Sequence, residues 1–142
     1  MKLRIIKLGL IHLDACLEID RKSFKGLWTK SQWERELSDP KRISLGAIDL
    51  DTKKLLSLCS AWLVLDEIQL TSIAVHPKHF RKGLGKFILS NLIKHPMCVK
   101  SNQIYLEVKE TNEPAKALYK SMGFIKKGHR SNFYKDGSNA LI

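Results

Sequence analysis

The stretch best suited to chemistry reads Ile73-Ala74-Val75-His76-Pro77-Lys78-His79-Phe80-Arg81-Lys82-Gly83-Leu84-Gly85-Lys86. An apolar, β-branched run gives way to a basic loop, then two glycines, then a helical period. Glycines without a Cβ let main-chain N–H groups approach an anion closely, and a helix N-terminus adds favourable dipole charge. Arg81, Lys82 and Lys86 add full positive charges, with Lys78 and His79 just upstream. The expected chemistry is capture of a phosphate-bearing anion. The alternative is an ordinary helix entry with solvated charges. The loop lacks the Gly-Lys-Ser/Thr ending of a P-loop and the third glycine of a dinucleotide fingerprint, which argues against a nucleoside triphosphate or NAD.

No metal is expected. Cys16, Cys59 and Cys98 are too few and too far apart for a zinc site or a disulfide scaffold, and each sits among apolar neighbours that point to core packing. The five histidines show no ligand spacing; His76 and His79 are separated by Pro77.

The elements that must position the loop follow from periodicity. Lys2 to Leu8 reads as a strand, and the apolar positions from Ile11 to Phe24 follow a helical period. Thr29-Lys30-Ser31-Gln32 has capping-box spacing before a short helix over Gln32 to Leu37. Ile43 to Ile48, Leu55 to Leu65 and Ile68 to Val75 read as an antiparallel meander, with a turn at Asp66-Glu67. A helix over Gly83 to Lys94, a strand over Gln103 to Val108 and a helix over Glu113 to Met122, stopped by Gly123, complete the pattern with strands at Phe124 to Lys127 and Ala140 to Ile142. This order predicts an α/β (α+β) class, a mixed and mostly antiparallel central sheet with helices on both faces.

With 142 residues and no linker or repeat, one domain over 1–142 is expected. No apolar run approaches the ~18 residues of a membrane span, and Met1 to Leu10 is not a signal peptide. A cytoplasmic protein is expected. Lys and Arg number 25 against 14 Asp and Glu, a formal charge of +11, so anionic partners are favoured, whether cosubstrate, nucleic acid or lipid.

The basic loop resembles the pyrophosphate motif of the GNAT acetyltransferases, Gln/Arg-x-x-Gly-x-Gly/Ala, with Gly83 and Gly85 matching, Phe80 at the first position and the arginine displaced to Arg81. Tyr105-Leu106-Glu107-Val108 through Tyr119 to Gly123-Phe124 is similar to the signature of the ribosomal-protein-alanine N-acetyltransferase branch, RimI-like enzymes. His129 to Leu141 resembles that branch's tail, with Phe133 for a tyrosine and Asn139 for an aspartate. The match is specific from Leu70 onward. The N-terminal half agrees in element order and in the loop Leu27-Trp28-Thr29.

The resemblance implies the GNAT fold and an acetyl-CoA-dependent N-acetyltransferase acting on a protein N-terminal α-amine, an N-terminal alanine of a ribosomal protein. It implies Glu107 as the base that frees the amine and Tyr119 as the acid for the departing thiolate. Asn112 matches the asparagine that contacts coenzyme A and is equally placed to cap a helix. Ile73, Ala74 and Val75 would offer main-chain groups to the pantetheine arm, with Arg81, Lys82, Gly83, Leu84, Gly85 and Lys86 around the diphosphate. A basic acceptor should be repelled by a basic enzyme, so an acidic lip is expected, with Glu18, Asp20, Asp66 and Glu67 as candidates; otherwise the surplus charge draws the enzyme to ribosomal RNA. The rival readings are a GNAT enzyme for a small amine or a lysine side chain, and a non-catalytic basic RNA- or ribosome-binding domain. Nucleic-acid recognition motifs are absent from the sequence. Oligomeric state is left open.

Overall fold

A computed structural model describes residues 2–24, 26, 28–79, 83–101, 103–109, 111–126, 129–130 and 140–141. The chain falls into two compact units, Met1–Ile104 and Tyr105–Ile142. The first contains β1 (Leu3–Lys7), α1 (Leu13–Phe24), α2 (Lys30–Ser38), β2 (Arg42–Asp49), β3 (Leu55–Val64), β4 (Glu67–Val75), α3 (Leu84–Ile93) and the short α4 (Pro96–Val99). Five strands lie in the order β1-β2-β3-β4-β5, with β5 at Gln103–Leu106. The first four pair antiparallel with their neighbours; the last three of them are the expected meander, and β1 joins it at the β2 edge.

Strand alternation sorts the core. Leu58 and Ala74 are cross-strand partners and pack with Leu8, Cys16, Ile19 and Trp33 of the α1–α2 side. One residue along, Cys59 and Ile73 pair and point to the opposite face. There α3 packs on β2 and β3 through a stripe of buried Leu84, Ile88, Leu89 and Leu92. All three cysteines are buried, and burial pushes their thiols up to about 12 for Cys16 and Cys59 and about 11 for Cys98, as core thiols should behave. Among the described residues no helix is long and apolar enough to cross a membrane.

A bulge shapes β4. Ser60 pairs with Ser72 and Ala61 with Leu70, leaving Thr71 as the extra residue. Its hydroxyl lies 2.9 Å from the carbonyl of Ser60 and 3.1 Å from Oε1 of the buried Glu36, so the irregularity is anchored by polar bonds.

The second unit contains β6 (Val108–Lys109), α5 (Glu113–Ser121), β7 (His129–Arg130) and β8 (Ala140–Leu141), with strand order β6-β8-β7.

Several local expectations need correction. The β3–β4 hairpin turns one residue early. Leu65 and Asp66 form its loop, and Leu65 adopts the left-handed conformation (φ 57°) common in two-residue hairpins. The strand expected over 103–108 is interrupted at Glu107. Residues 124–126 are not a strand, because Phe124 folds back to close α5; Lys127 and Ile142 lie outside the described residues.

The short α4 was not expected, since four residues show no periodicity. Pro96 opens it, and His95 caps it by accepting the Met97 N–H at Nδ1 (3.1 Å). That bond requires an unprotonated Nδ1. Burial, then the charge of Lys7, hold His95 below its ordinary value of 6.5. The unfolded chain therefore takes up the proton first. Stability is lost as pH falls from the unfolded value through the lowered folded one. The urea midpoint should drop between about pH 7.5 and about pH 5, and less so in His95→Asn, which keeps a cap oxygen without titrating. An equal drop in both proteins would remove this cap from the account.

Candidate functional site

The end of β4 and the start of α3 carry the predicted anion loop. The His76 N–H donates to the Leu56 carbonyl (2.8 Å), which fixes which way the main chain faces. By alternation Ala74 turns its N–H and C=O toward β3, while Ile73 and Val75 turn theirs to the other edge. The three residues expected to offer main-chain groups thus narrow to Ile73 and Val75; Ala74 contributes a buried side chain to the core. The Val75 carbonyl accepts a bond from Ser23 Oγ at 2.9 Å, in the last turn of α1.

Gly83 is the N-cap of α3, in the left-handed region at φ 75°, and among the described residues a Cβ there would meet nothing within 4 Å. The Phe87 N–H bonds the Gly83 carbonyl (3.0 Å), so the N–H groups of Leu84, Gly85 and Lys86 precede the helix ladder and point out of its N-terminus. Leu84 is buried and Lys86 exposed. Phe80, Arg81 and Lys82 lie outside the described residues. Just upstream, a 3-10 turn over Pro77–His79 brings the rings of His76 and His79 edge to face at 5.9 Å, although Pro77 separates them.

In the second unit, Glu107 sits in the break between β5 and β6, half-buried, and accepts the Tyr105 hydroxyl at Oε1 (2.6 Å). The two side chains share a side, as period-two spacing predicts. Asn112 caps α5, its Oδ1 accepting the Ala115 N–H (3.2 Å), which leaves its amide NH₂ as the group suited to a ligand acceptor. Tyr119 is 7% exposed. It is held by the way α5 ends. Gly123 is left-handed (φ 92°), the Phe124 N–H bonds the Tyr119 carbonyl (3.0 Å) and the Gly123 N–H that of Lys120 (3.1 Å). The Phe124 ring meets the Tyr119 ring at 5.8 Å. This is a Schellman closure with its apolar contact.

The acidic lip does not form as expected. Asp20 is 1% exposed; its Oδ2 accepts the Trp33 Nε1–H (2.6 Å) and the Trp28 main-chain N–H (3.0 Å). It pins the loop after α1, where the two indoles meet at 4.7 Å. Glu18 lies near His76, beyond the end of β4, while Asp66 and Glu67 lie at its start, roughly 25–30 Å away along the strand. Glu67 accepts a bond from the Gln103 side chain instead (2.8 Å). Glu18, ion-paired with Lys22 at 2.9 Å, shares a groove of about 390 Å³ with Asp14, Leu17, Asp20, Arg21 and Trp28. Replacing Asp20 with alanine strands the buried Trp33 indole N–H and the half-buried Trp28 N–H and should cost about 2–4 kcal/mol, read as a lower urea midpoint. A loss under about 0.5 kcal/mol would show that the carboxylate does not hold the loop.

The acetyltransferase (GNAT) family model matches residues 13–124. The chain belongs to the GNAT acetyltransferase family. It is 32% identical over 99% of its length, and 93% of the other protein's, to a Bacillus subtilis protein assigned as a ribosomal protein bS18-alanine N-acetyltransferase. It is also 32% identical, over 89% of its length and 84% of the other's, to the bS18-alanine N-acetyltransferase of Salmonella typhimurium. The crystal structure of the S18-alanine N-acetyltransferase from Escherichia coli superposes with a TM-score of 0.90, at 28% identity, covering 99% of this chain and 90% of that one. Arabidopsis thaliana NAA60, solved with acetyl-CoA, shares the fold (TM-score 0.87, 16% identity, 99% and 96% covered). The fold class and the enzyme class read from the sequence, an acyltransferase, both stand.

Two contacts beside the candidate groups have no direct signal in the sequence. Ser23 carries no local signal, because its partner lies 52 residues away. The Tyr105 hydroxyl on Glu107 had a signal in the i, i+2 spacing, which gave the shared side but not the bond.

Proposed function

We propose that this GNAT enzyme moves the acetyl group of acetyl-CoA to the N-terminal α-amine of a protein, and that the acceptor is a ribosomal protein beginning with alanine. The near-full-length likeness to bS18-alanine N-acetyltransferases carries this reading. The chain works as a single domain over 1–142, in the cytoplasm. The N–H groups of Leu84, Gly85 and Lys86, with Gly83 as the bend and the charges of Arg81, Lys82 and Lys86, hold the coenzyme diphosphate. Main-chain groups of Ile73 and Val75 pair with the pantetheine arm as an added strand, and the outward N–H groups polarise the thioester carbonyl. The Asn112 amide donates to the coenzyme. Glu107 takes the proton of the attacking amine, with Tyr105 fixing its carboxylate. Basic acceptor residues lie over the groove of Asp14 and Glu18, and the surplus positive charge adds a weak attraction to ribosomal RNA.

Tyr119 serves the departing thiolate. An ordinary phenol (about 10) is a weaker acid than a thiol (about 8.5), so full transfer runs uphill by ~2 kcal/mol. A hydrogen bond to the developing thiolate, with the proton passed late, is the easier course. Tyr119→Phe keeps the ring against Phe124 and removes only the hydroxyl. It should lower kcat by about 10- to 100-fold while acetyl-CoA binding stays within a few-fold. Lost binding would mark Tyr119 as structural.

The function is tested by mass spectrometry of peptides incubated with enzyme and acetyl-CoA. Peptides starting with alanine should gain one acetyl group, and the same peptides with a blocked α-amine should gain none. Acetylation of blocked peptides at lysine would replace this reading with the side-chain one.

A further inference from the structure

The bond from Ser23 to the Val75 carbonyl has a consequence for the coenzyme. Val75 ends β4, and its carbonyl is on the edge facing away from β3, together with the Val75 N–H and both main-chain groups of Ile73. An extended ligand that pairs with a strand edge finds its place by matching donors to acceptors at the strand repeat, about 6.6–6.8 Å per two residues. Two carbonyls on this edge, those of Ile73 and Val75, would otherwise be equivalent acceptors for the amide N–H groups of a pantetheine arm, one repeat apart. Ser23 breaks that equivalence. Its hydroxyl already donates to the Val75 carbonyl at 2.9 Å, which makes that oxygen the weaker acceptor for a second donor.

Ser23 is well placed to hold this role. It sits half-buried in the last turn of α1, and the chain just beyond is turned by Gly26, left-handed at φ 90°, whose N–H bonds the Asp20 carbonyl (3.4 Å). The same Asp20 fixes Trp28 and Trp33 through its side chain. The helix end that carries Ser23 is therefore anchored independently of the bond to Val75.

We propose that Ser23 is a positioning residue that sets the register of the coenzyme's pantetheine arm along β4, by filling the Val75 carbonyl so that the arm's amide is directed to Ile73. The inference rests on the reading that acetyl-CoA pairs with this edge.

Two ligands separate it from a merely structural role. Acetyl-CoA carries the arm, whereas adenosine 3′,5′-bisphosphate has the nucleotide phosphates without it. Calorimetry on Ser23→Ala should show acetyl-CoA binding as tight or a few-fold tighter, because a second register opens, with the bisphosphate unchanged. Arms held in the second register are non-productive, so kcat should fall about two- to tenfold, the KM for acetyl-CoA should fall by the same factor, and kcat/KM should stay nearly constant. Ser23→Thr keeps the hydroxyl and should restore both values. Weakening of either ligand, an unchanged kcat in Ser23→Ala, or failure of Ser23→Thr to restore kcat would each overturn the proposal. If the unaltered enzyme binds the bisphosphate and not acetyl-CoA, the acetyl-CoA reading fails first and this inference falls with it.

Discussion

Replacing Glu107 with glutamine lowers kcat/KM for an alanine-starting peptide by about 10- to 100-fold near pH 7, and by only a few-fold near pH 9. The pH dependence follows from the acceptor. An α-amine titrates near ~8, so roughly a tenth is neutral at pH 7 and nine-tenths at pH 9. A base can therefore gain about tenfold by freeing the amine at neutral pH and almost nothing two units higher. The remainder is the gain from taking the proton in the transition state and from holding the amine in line. Glutamine suits the test because its Oε1 can still accept the Tyr105 hydroxyl, which bonds Glu107 at 2.6 Å, so the side chain keeps its place and loses only its basicity. Steady-state rates with acetyl-CoA saturating, taken across that range, give the answer. A loss of the same size at every pH would refute the base role and leave Glu107 as an orienting group.

What was legible in the sequence has local causes. The capping box at Thr29 is present as read. Thr29 Oγ1 accepts the Gln32 N–H (3.2 Å), and Gln32 Oε1 accepts that of Thr29 (2.7 Å). The stop at Gly123 is present as read because a left-handed residue after α5 is a main-chain requirement written in one amino acid. The meander was legible from alternation, which also put Glu107 and Tyr105 on one side.

What failed depends on register between distant segments. That Ala74 faces β3 with its main chain, while Ile73 and Val75 do not, is decided by the pairing of His76 with Leu56. The bulge at Thr71 and the bond from Ser23 to Val75 have no counterpart in any window of the sequence. Asp20 misled for a related reason. A carboxylate on a helix reads as solvated charge until the fold brings Trp28 and Trp33 to it.

The second large effect is expected at Gly83, where two variants of the same shape should differ only through charge. Among the described residues nothing within 4 Å would meet a Cβ at this position, so bulk is not the obstacle. The left-handed backbone costs an L-residue about 1–2 kcal/mol, and least for asparagine and aspartate, so Gly83→Asn and Gly83→Asp should fold alike. If anything, the aspartate should be the more stable, since a negative charge at the N-terminus of α3 gains about 0.3–1 kcal/mol from the helix dipole. A bound diphosphate reverses the preference. At ~5 Å the carboxylate opposes each phosphate charge by about 1–3 kcal/mol in a partly solvated site. Acetyl-CoA should therefore bind Gly83→Asn within a few-fold of the unaltered enzyme. It should bind Gly83→Asp at least about 30-fold more weakly, and part of that loss should be recovered in high salt as the repulsion is screened. The ordering of the two variants is opposite for stability and for binding, which a simple folding defect cannot produce. Equal affinities for acetyl-CoA in the two variants would place the diphosphate away from the start of α3.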